Sequence, residues 1–120
     1  MSILQNQSTP VFIQVADEIR HGILGGKYNP GEQIPTVRQI AYDLSVNPNT
    51  VQKALLLLEG EGLLFTKATI GRFVTEDEEF IDGVRERVKR ETLESLIREA
   101  ELLGVSRSDI INYIKEGEEI

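Results

Sequence analysis

The chain has 120 residues, no cysteine and a formal charge of −7. That length suits one small domain with an appendage rather than two full domains. Without cysteine there are no disulfides or thiolate metal sites, and a cytoplasmic location is the default expectation.

The longest uninterrupted apolar run, Ala54–Leu58, is far too short to span a bilayer. The first eight residues lack a basic segment leading into an apolar one, so no signal peptide is expected. The charge is uneven. Residues 1–74 carry six Lys/Arg and six Asp/Glu, whereas residues 75–120 carry seven basic and fourteen acidic groups and so account for the whole −7. A neutral stretch can still present one basic face, because local potential matters more than net charge.

The first predicted element is a helix over residues 10–25, with an apolar stripe of Phe12, Val15, Ala16, Ile19 and Ile23. Thr9 reads as its cap with Pro10 at the first helical position, and Gly25-Gly26 as its end. Residues 27–31 have turn chemistry. Thr36 and Gln39 form a capping-box pattern opening a helix whose Val37, Ile40, Ala41 and Leu44 share a face. After a turn at Ser45-Val46, Asn47 caps a helix over residues 48–61 with Pro48 at its first position. Val51, Ala54, Leu55 and Leu58 repeat the same spacing. Two short amphipathic helices joined by about three residues have the form of a helix-turn-helix.

Leu63–Thr66 and Arg72–Val74 read as two short strands around a loop at 67–71, which makes a wing. Thr75–Glu79 reads as an acidic hinge. From Phe80 a long helix is expected, carrying Val84, Val88, Leu93, Leu96, Ile97, Ala100 and Leu103 and stopped by Gly104. Ser106 and Asp109 form a second capping-box pattern, opening a last helix with Ile110, Ile111 and Ile114. The expected fold is mainly α with a small β wing. It comprises a winged helix-turn-helix domain at 1–75 and a two-helix dimerisation tail at 76–120.

If Val51, Ala54, Leu55 and Leu58 face the core, Asn49, Gln52 and Lys53 face outward. Asn and Gln amides can bond adenine bidentately in a major groove, and Lys can reach guanine or phosphate. Asn47 and Thr50, near the helix N-terminus, are placed for phosphate oxygens. Arg38, one turn into the preceding helix, can clamp a phosphate where that helix crosses the backbone. Its bland alternative is a surface ion pair with Asp43 or Glu32. In the wing, Lys67 and Arg72 can meet phosphates or enter a minor groove, with Gly71 permitting a tight tip.

Catalysis has no residue set to support it. His21 is the one histidine, and there is no Ser/His/Asp set, phosphate loop or His/Cys cluster. No cofactor is expected. A winged helix can also bind proteins, and the fold alone does not separate that use from DNA binding. The outward set of Arg38, Asn49, Gln52 and Lys53 favours nucleic acid.

These residues resemble a known family. The resemblance lies in Pro10 and Gln14, Ile23-Leu24 and Gly26, Pro30-Gly31-Glu32, and the run Ile34-Pro35-Thr36-Val37-Arg38 with Ile40-Ala41. It continues through Leu44, Val46-Asn47, Asn49-Thr50-Val51, Ala54-Leu55, Leu58-Glu59, Glu61-Gly62-Leu63 and Gly71-Arg72-Phe73-Val74. Over residues 10–74 the chain is similar to the GntR family of bacterial regulators. Its short tail and Asn47-Pro48-Asn49-Thr50 resemble the YtrA-like subfamily.

The resemblance implies a homodimer on an inverted-repeat DNA operator, regulating nearby genes, with repression as the expected direction. It implies DNA contacts from Arg38, residues 47–50, Gln52, Lys53 and Gly71, and Thr36 belongs to the same motif. Many relatives carry arginine where this chain has Pro48 or Gln52, so the resemblance implies no base preference. Two short helices leave little room for a ligand pocket of a few hundred cubic ångströms. A small-molecule effector, of unknown identity, would therefore sit between subunits.

Overall fold

The computed structural model describes residues 8–118. In chain order the elements are α1 (Val11–Leu24), α2 (Val37–Leu44), α3 (Pro48–Gly60), β1 (Leu64–Lys67), β2 (Gly71–Val74), α4 (Glu78–Leu102) and α5 (Arg107–Glu118). The architecture is mostly helical with a two-stranded antiparallel wing. Two compact units divide between Asp82 and Gly83, within α4.

The first unit is built on α3, against which α1, α2 and β1 pack. The apolar stripes anticipated from spacing supply its core. Val15, Ala16, Ile19 and Ile23 of α1 meet Val51, Ala54, Leu55 and Leu58 of α3, with Ile40 and Ala41 from α2, and all are buried. Removing each large aliphatic side chain from water is worth roughly 1.5–3 kcal/mol.

Local signals in the chain explain where α2 and α3 begin. The Thr36 hydroxyl accepts from the Gln39 amide N–H at 3.2 Å, while the Gln39 side chain accepts from the Thr36 N–H at 3.0 Å, a complete capping box. Ser45 ends α2 in the left-handed conformation. The Asn47 side chain then accepts from the Asn49 N–H at 2.7 Å, and Pro48 takes the first helical position. The start of α1 differs from expectation. Pro10 occupies the cap position and no side chain caps the helix. Thr9 contributes its carbonyl, which accepts from the Gln14 side chain at 2.8 Å.

The wing strands pair Leu64 with Val74, Phe65 with Phe73, Thr66 with Arg72 and Lys67 with Gly71. Each runs one residue further toward the tip than the apolar pattern suggested. Gln33 adds a bridge to Phe73 on the other edge of β2. There Ile34 N–H donates to the Arg72 carbonyl at 3.0 Å and Val74 N–H to the Glu32 carbonyl at 2.9 Å.

The long helix also begins earlier than expected, at Glu78 rather than Phe80. Asp77 caps it by accepting from the Phe80 N–H at 3.0 Å, and Glu78 and Glu79 occupy its first turn, where the helix dipole favours acids. Ile81 is only 3 % exposed. The Phe80 ring lies against Gly62, which has φ +82° and where an added Cβ would stand 3.3 Å from the ring. The first compact unit therefore reaches beyond residue 75.

In the second unit, Gly104 adopts φ +78° just past the end of α4. Ser106 and Asp109 exchange two 3.1 Å hydrogen bonds that open α5. Leu93, Leu96, Leu103, Ile111 and Ile114 are exposed, while Val88, Ile97, Ala100 and Ile110 are half-buried and Val84 is buried. Among the described residues, no helix is long and apolar enough to cross a membrane.

Candidate nucleic-acid interface

With Val51, Ala54, Leu55 and Leu58 facing inward, α3 presents Pro48, Asn49, Gln52, Lys53 and Leu56 to solvent, with Thr50 half-buried at its first turn. This exposed strip is the outward face anticipated for a reading helix. The Asn49 side chain makes no hydrogen bond among the described residues. Lys53 lies with its ammonium 4.1 Å from the centre of the Phe12 ring, on α1. A cation over an aromatic face is held by the ring quadrupole and keeps its charge at the surface.

Arg38 is exposed on the first turn of α2 and forms no ion pair among the described residues. The ion-pair alternative with Glu32 or Asp43 is not taken up: Glu32 accepts instead from the N–H and the side-chain amide of Asn29, at 3.0 and 3.2 Å. Tyr42, one turn further along α2, is 86 % exposed on the same side of the helix as Arg38. Thr36 and Asn47 have structural duties, since both side chains cap helices.

An open groove of about 350 Å³ runs between the start of α2 and the wing, with Thr36 and Val37 on one side and Lys67, Ile70 and Gly71 on the other. Gly71 has φ +139°, and an added Cβ would lie 2.6 Å from Nε2 of Gln33. That amide donates to the Ile70 carbonyl at 2.9 Å and supports the tip from below. The stacked rings of Phe65 and Phe73, 5.7 Å apart, lie beneath Lys67, whose ammonium is 4.6 Å from the Phe73 centroid.

Arg72 lies differently from Lys67. Its Nε is bonded to Oε1 of Glu59 on α3, and its Nη1 donates to Oε1 of Gln52 at 3.3 Å. Its side chain is 15 % exposed and the Glu59 side chain 25 %. Thr66 also donates to Glu59, at 2.7 Å. Burial, the largest single influence on the Glu59 carboxyl, favours its neutral form. The hydrogen bonds from Arg72 and Thr66 and the charge of Arg72 together outweigh it and hold the carboxyl below its ordinary value. Burial likewise opposes the charge of Arg20 on α1. Its hydrogen bond and attraction to Glu61, followed by those to Asp17, leave its value raised.

The exposed polar side chains are therefore Arg38 on α2, Asn49, Gln52 and Lys53 on α3, and Lys67 on the wing. The sequence gives no site role to Gln33, to Glu59 or to Phe12, which enters it only as part of the apolar stripe of α1. Glu59 was legible in principle, because it lies seven residues after Gln52 and so on the same stripe of α3, two turns on. Phe12 and Gln33 become neighbours of the site only through tertiary packing. Among the described residues no group of three or more His, Asp or Glu could hold a metal ion.

Comparison with known proteins adds to this geometry. The family model for bacterial regulatory proteins of the gntR family matches residues 13–74. The HTH-type transcriptional repressor YtrA of Bacillus subtilis is 34 % identical over 111 residues, covering 91 % of this chain and 85 % of that one. A GntR family transcriptional regulator from Listeria monocytogenes superposes with a TM-score of 0.80 at 31 % identity, covering 92 % of this chain and 97 % of that one. The AraR(DBD) chain, solved in complex with operator ORX1, superposes with a TM-score of 0.58 at 30 % identity, covering 62 % of this chain and 95 % of that one.

Proposed function

Because this chain belongs to the GntR family of bacterial regulatory proteins and is a DNA-binding transcription regulator, we propose that it acts as a repressor, gripping an inverted-repeat operator as a homodimer. In this reading residues up to Asp82 bind DNA and the remainder joins two copies.

The observation that carries the reading is the exposed strip Asn49, Gln52 and Lys53 on α3, together with the exposed Arg38 of α2. Asn49 and Gln52 meet base edges in the major groove, and Arg38 and Thr50 meet phosphates. Lys53 and Lys67 carry the charge further along the backbone, with Pro48 and Gly71 allowing close approach.

The dimer reading is supported by the tail. Leu93, Leu96, Leu103, Ile111 and Ile114 are exposed in a single copy. A two-fold pairing is the commonest way to cover such a face. The half-buried Val88, Ile97, Ala100 and Ile110 and the buried Val84 continue the same stripes. Five acids between residues 76 and 82, and nine acids against seven bases beyond Asp82, keep this end of the chain away from phosphates. Two heads on one dimer engage two half-sites and gain affinity by linkage. The role involves no catalysis, no cofactor and no membrane, and its place is the cytoplasm. A small-molecule effector, if one acts, would bind between the two tails.

The test is selection of bound duplexes from a random pool by the full chain, by Asn49→Ala and by Leu96→Asp, with sedimentation of each. Wild type should select an inverted repeat and sediment as a dimer. Asn49→Ala should relax one position in each half-site, by about 1–3 kcal/mol. Leu96→Asp should sediment as a monomer and bind the repeat far more weakly. Selection unaltered by Asn49→Ala removes α3 as the reader, and a Leu96→Asp dimer that binds normally removes the tail as the seam.

A further inference from the structure

The contact between Arg72 and Gln52 limits what Gln52 can read. A guanidinium has five N–H donors and no acceptor. The Gln52 atom facing Nη1 at 3.3 Å must therefore be the carbonyl oxygen, as it stands here. The amide orientation follows from the partner's chemistry, not from telling O from N by position. Arg72 cannot easily swing away, because its Nε is bonded to Glu59, which Thr66 also holds at 2.7 Å.

With its oxygen drawn toward Arg72 on the wing, Gln52 leaves its amide nitrogen, with two N–H donors, as the end that faces away from that contact. A glutamine that recognises adenine needs both ends, the oxygen accepting from N6 and the nitrogen donating to N7. Guanine presents two acceptors, O6 and N7, on the same edge. We infer that Arg72 is a positioning residue that turns the amide N–H groups of Gln52 toward the groove and its oxygen away, so that the base pair under Gln52 is read as guanine in preference to adenine. This rests on α3 being the DNA reader. It gives Arg72 a role distinct from a phosphate contact, and it replaces the adenine preference that Gln52 suggests from sequence alone.

The experiment uses the full chain and duplex selection from a random pool, followed by competition between duplexes differing at one base pair. Gln52→Glu identifies the pair. A carboxylate offers acceptors alone, so its preference there should switch to cytosine, which presents the N4 donor. Wild type should select guanine at that pair. Arg72→Ala should cut the guanine-over-adenine ratio about ten-fold at that pair and leave the other positions unchanged. Its salt dependence should match wild type, whereas loss of a phosphate contact would lower the slope by about one. In a Gln52→Ala background, adding Arg72→Ala should change no base preference.

Thermal melts of each variant establish that the head is folded. Should Arg72→Ala fail to fold, Glu59→Ala, which removes the acceptor that holds the same guanidinium, should give the same loss at the same pair. The inference alone is overturned by adenine at that pair in wild type, by an Arg72 effect that persists without Gln52, or by a reduced salt slope. A wild-type chain that selects no sequence overturns the reading by α3 and this inference with it.

Discussion

In the first unit, the stripes of α1 and α3 end in solid core: Val15, Ala16, Val51, Ala54 and Leu58 are fully buried. In the second, stripes of the same period leave Leu93 49 %, Leu96 58 % and Leu103 74 % exposed. The difference lies in what surrounds each helix. α3 is enclosed by α1, α2 and the wing, whereas the tail has two helices, and a helix pair cannot enclose the faces of both. Helical periodicity thus identifies an apolar face but does not say what covers it. Charge divides earlier in the chain than the units do, neutral through residue 74 and strongly acidic beyond it.

The largest effect that tests this contrast is a pair of truncated leucines. Leu58→Ala should cost the full chain about 2–5 kcal/mol in denaturant unfolding, the range for a leucine lost from a packed core. Leu96→Ala should leave the head's unfolding midpoint in place and act instead on assembly, seen as a lower sedimenting mass at equal concentration. A Leu96→Ala chain that loses as much stability as Leu58→Ala, independent of protein concentration, would mean that its own chain covers the tail.

A smaller effect probes the charge division. Arg38 is exposed on the head and forms no ion pair among the described residues. Arg107, in the tail, faces Glu101 at 3.6 Å across solvent. Arg38→Ala should weaken binding to all duplexes about equally and lower the magnitude of the salt slope by about one. Arg107→Ala should leave that slope unchanged. Equal slopes for Arg38→Ala and wild type in salt titrations of binding would take the phosphate contact away from Arg38. Loss of discrimination with the slope kept would make it a base reader.

The parts of this arrangement that were legible in the sequence are the local ones. Thr36 with Gln39, Asn47 with Pro48, and Ser106 with Asp109 each state a helix start through side chains a few residues apart, and all three are formed. The outward set on α3 followed from the inward set by geometry. Asp77 was equally local, but a run of acids at 76–79 reads as a solvated hinge until the cap is seen, so α4 was placed two residues late. The ladder from Glu32–Ile34 to β2 was not legible. Pro30 and Pro35 flank that segment, and its pairing is made across about forty residues of chain. The link from Arg72 to Glu59 and Gln52 was hidden for a related reason. A basic residue in a short strand reads as a free charge until the wing's register sets it beside α3.

The smallest predicted effect concerns that link and follows from the Glu59 carboxyl. Because its value in the folded chain lies below that in the unfolded chain, its contribution is fully present above the unfolded value. The contribution is lost as pH falls through the lower, folded value. Glu59→Gln cannot titrate there, so the stability difference between wild type and Glu59→Gln isolates this group from the other carboxylates. That difference should favour wild type at neutral pH, hold steady down to the ordinary glutamate range, and shrink toward a constant below it. The tail provides the contrast. Glu86 and Lys89 stand 3.5 Å apart on α4 with both side chains mostly exposed, and solvent-exposed pairs of this kind contribute little. The corresponding difference for Glu86→Gln at neutral pH should be near zero. Melts of the three chains at matched ionic strength, from pH 7 down to about 3, decide the matter. If the wild-type advantage over Glu59→Gln does not narrow in acid, Arg72 holds Glu59 too weakly to fix the wing against α3.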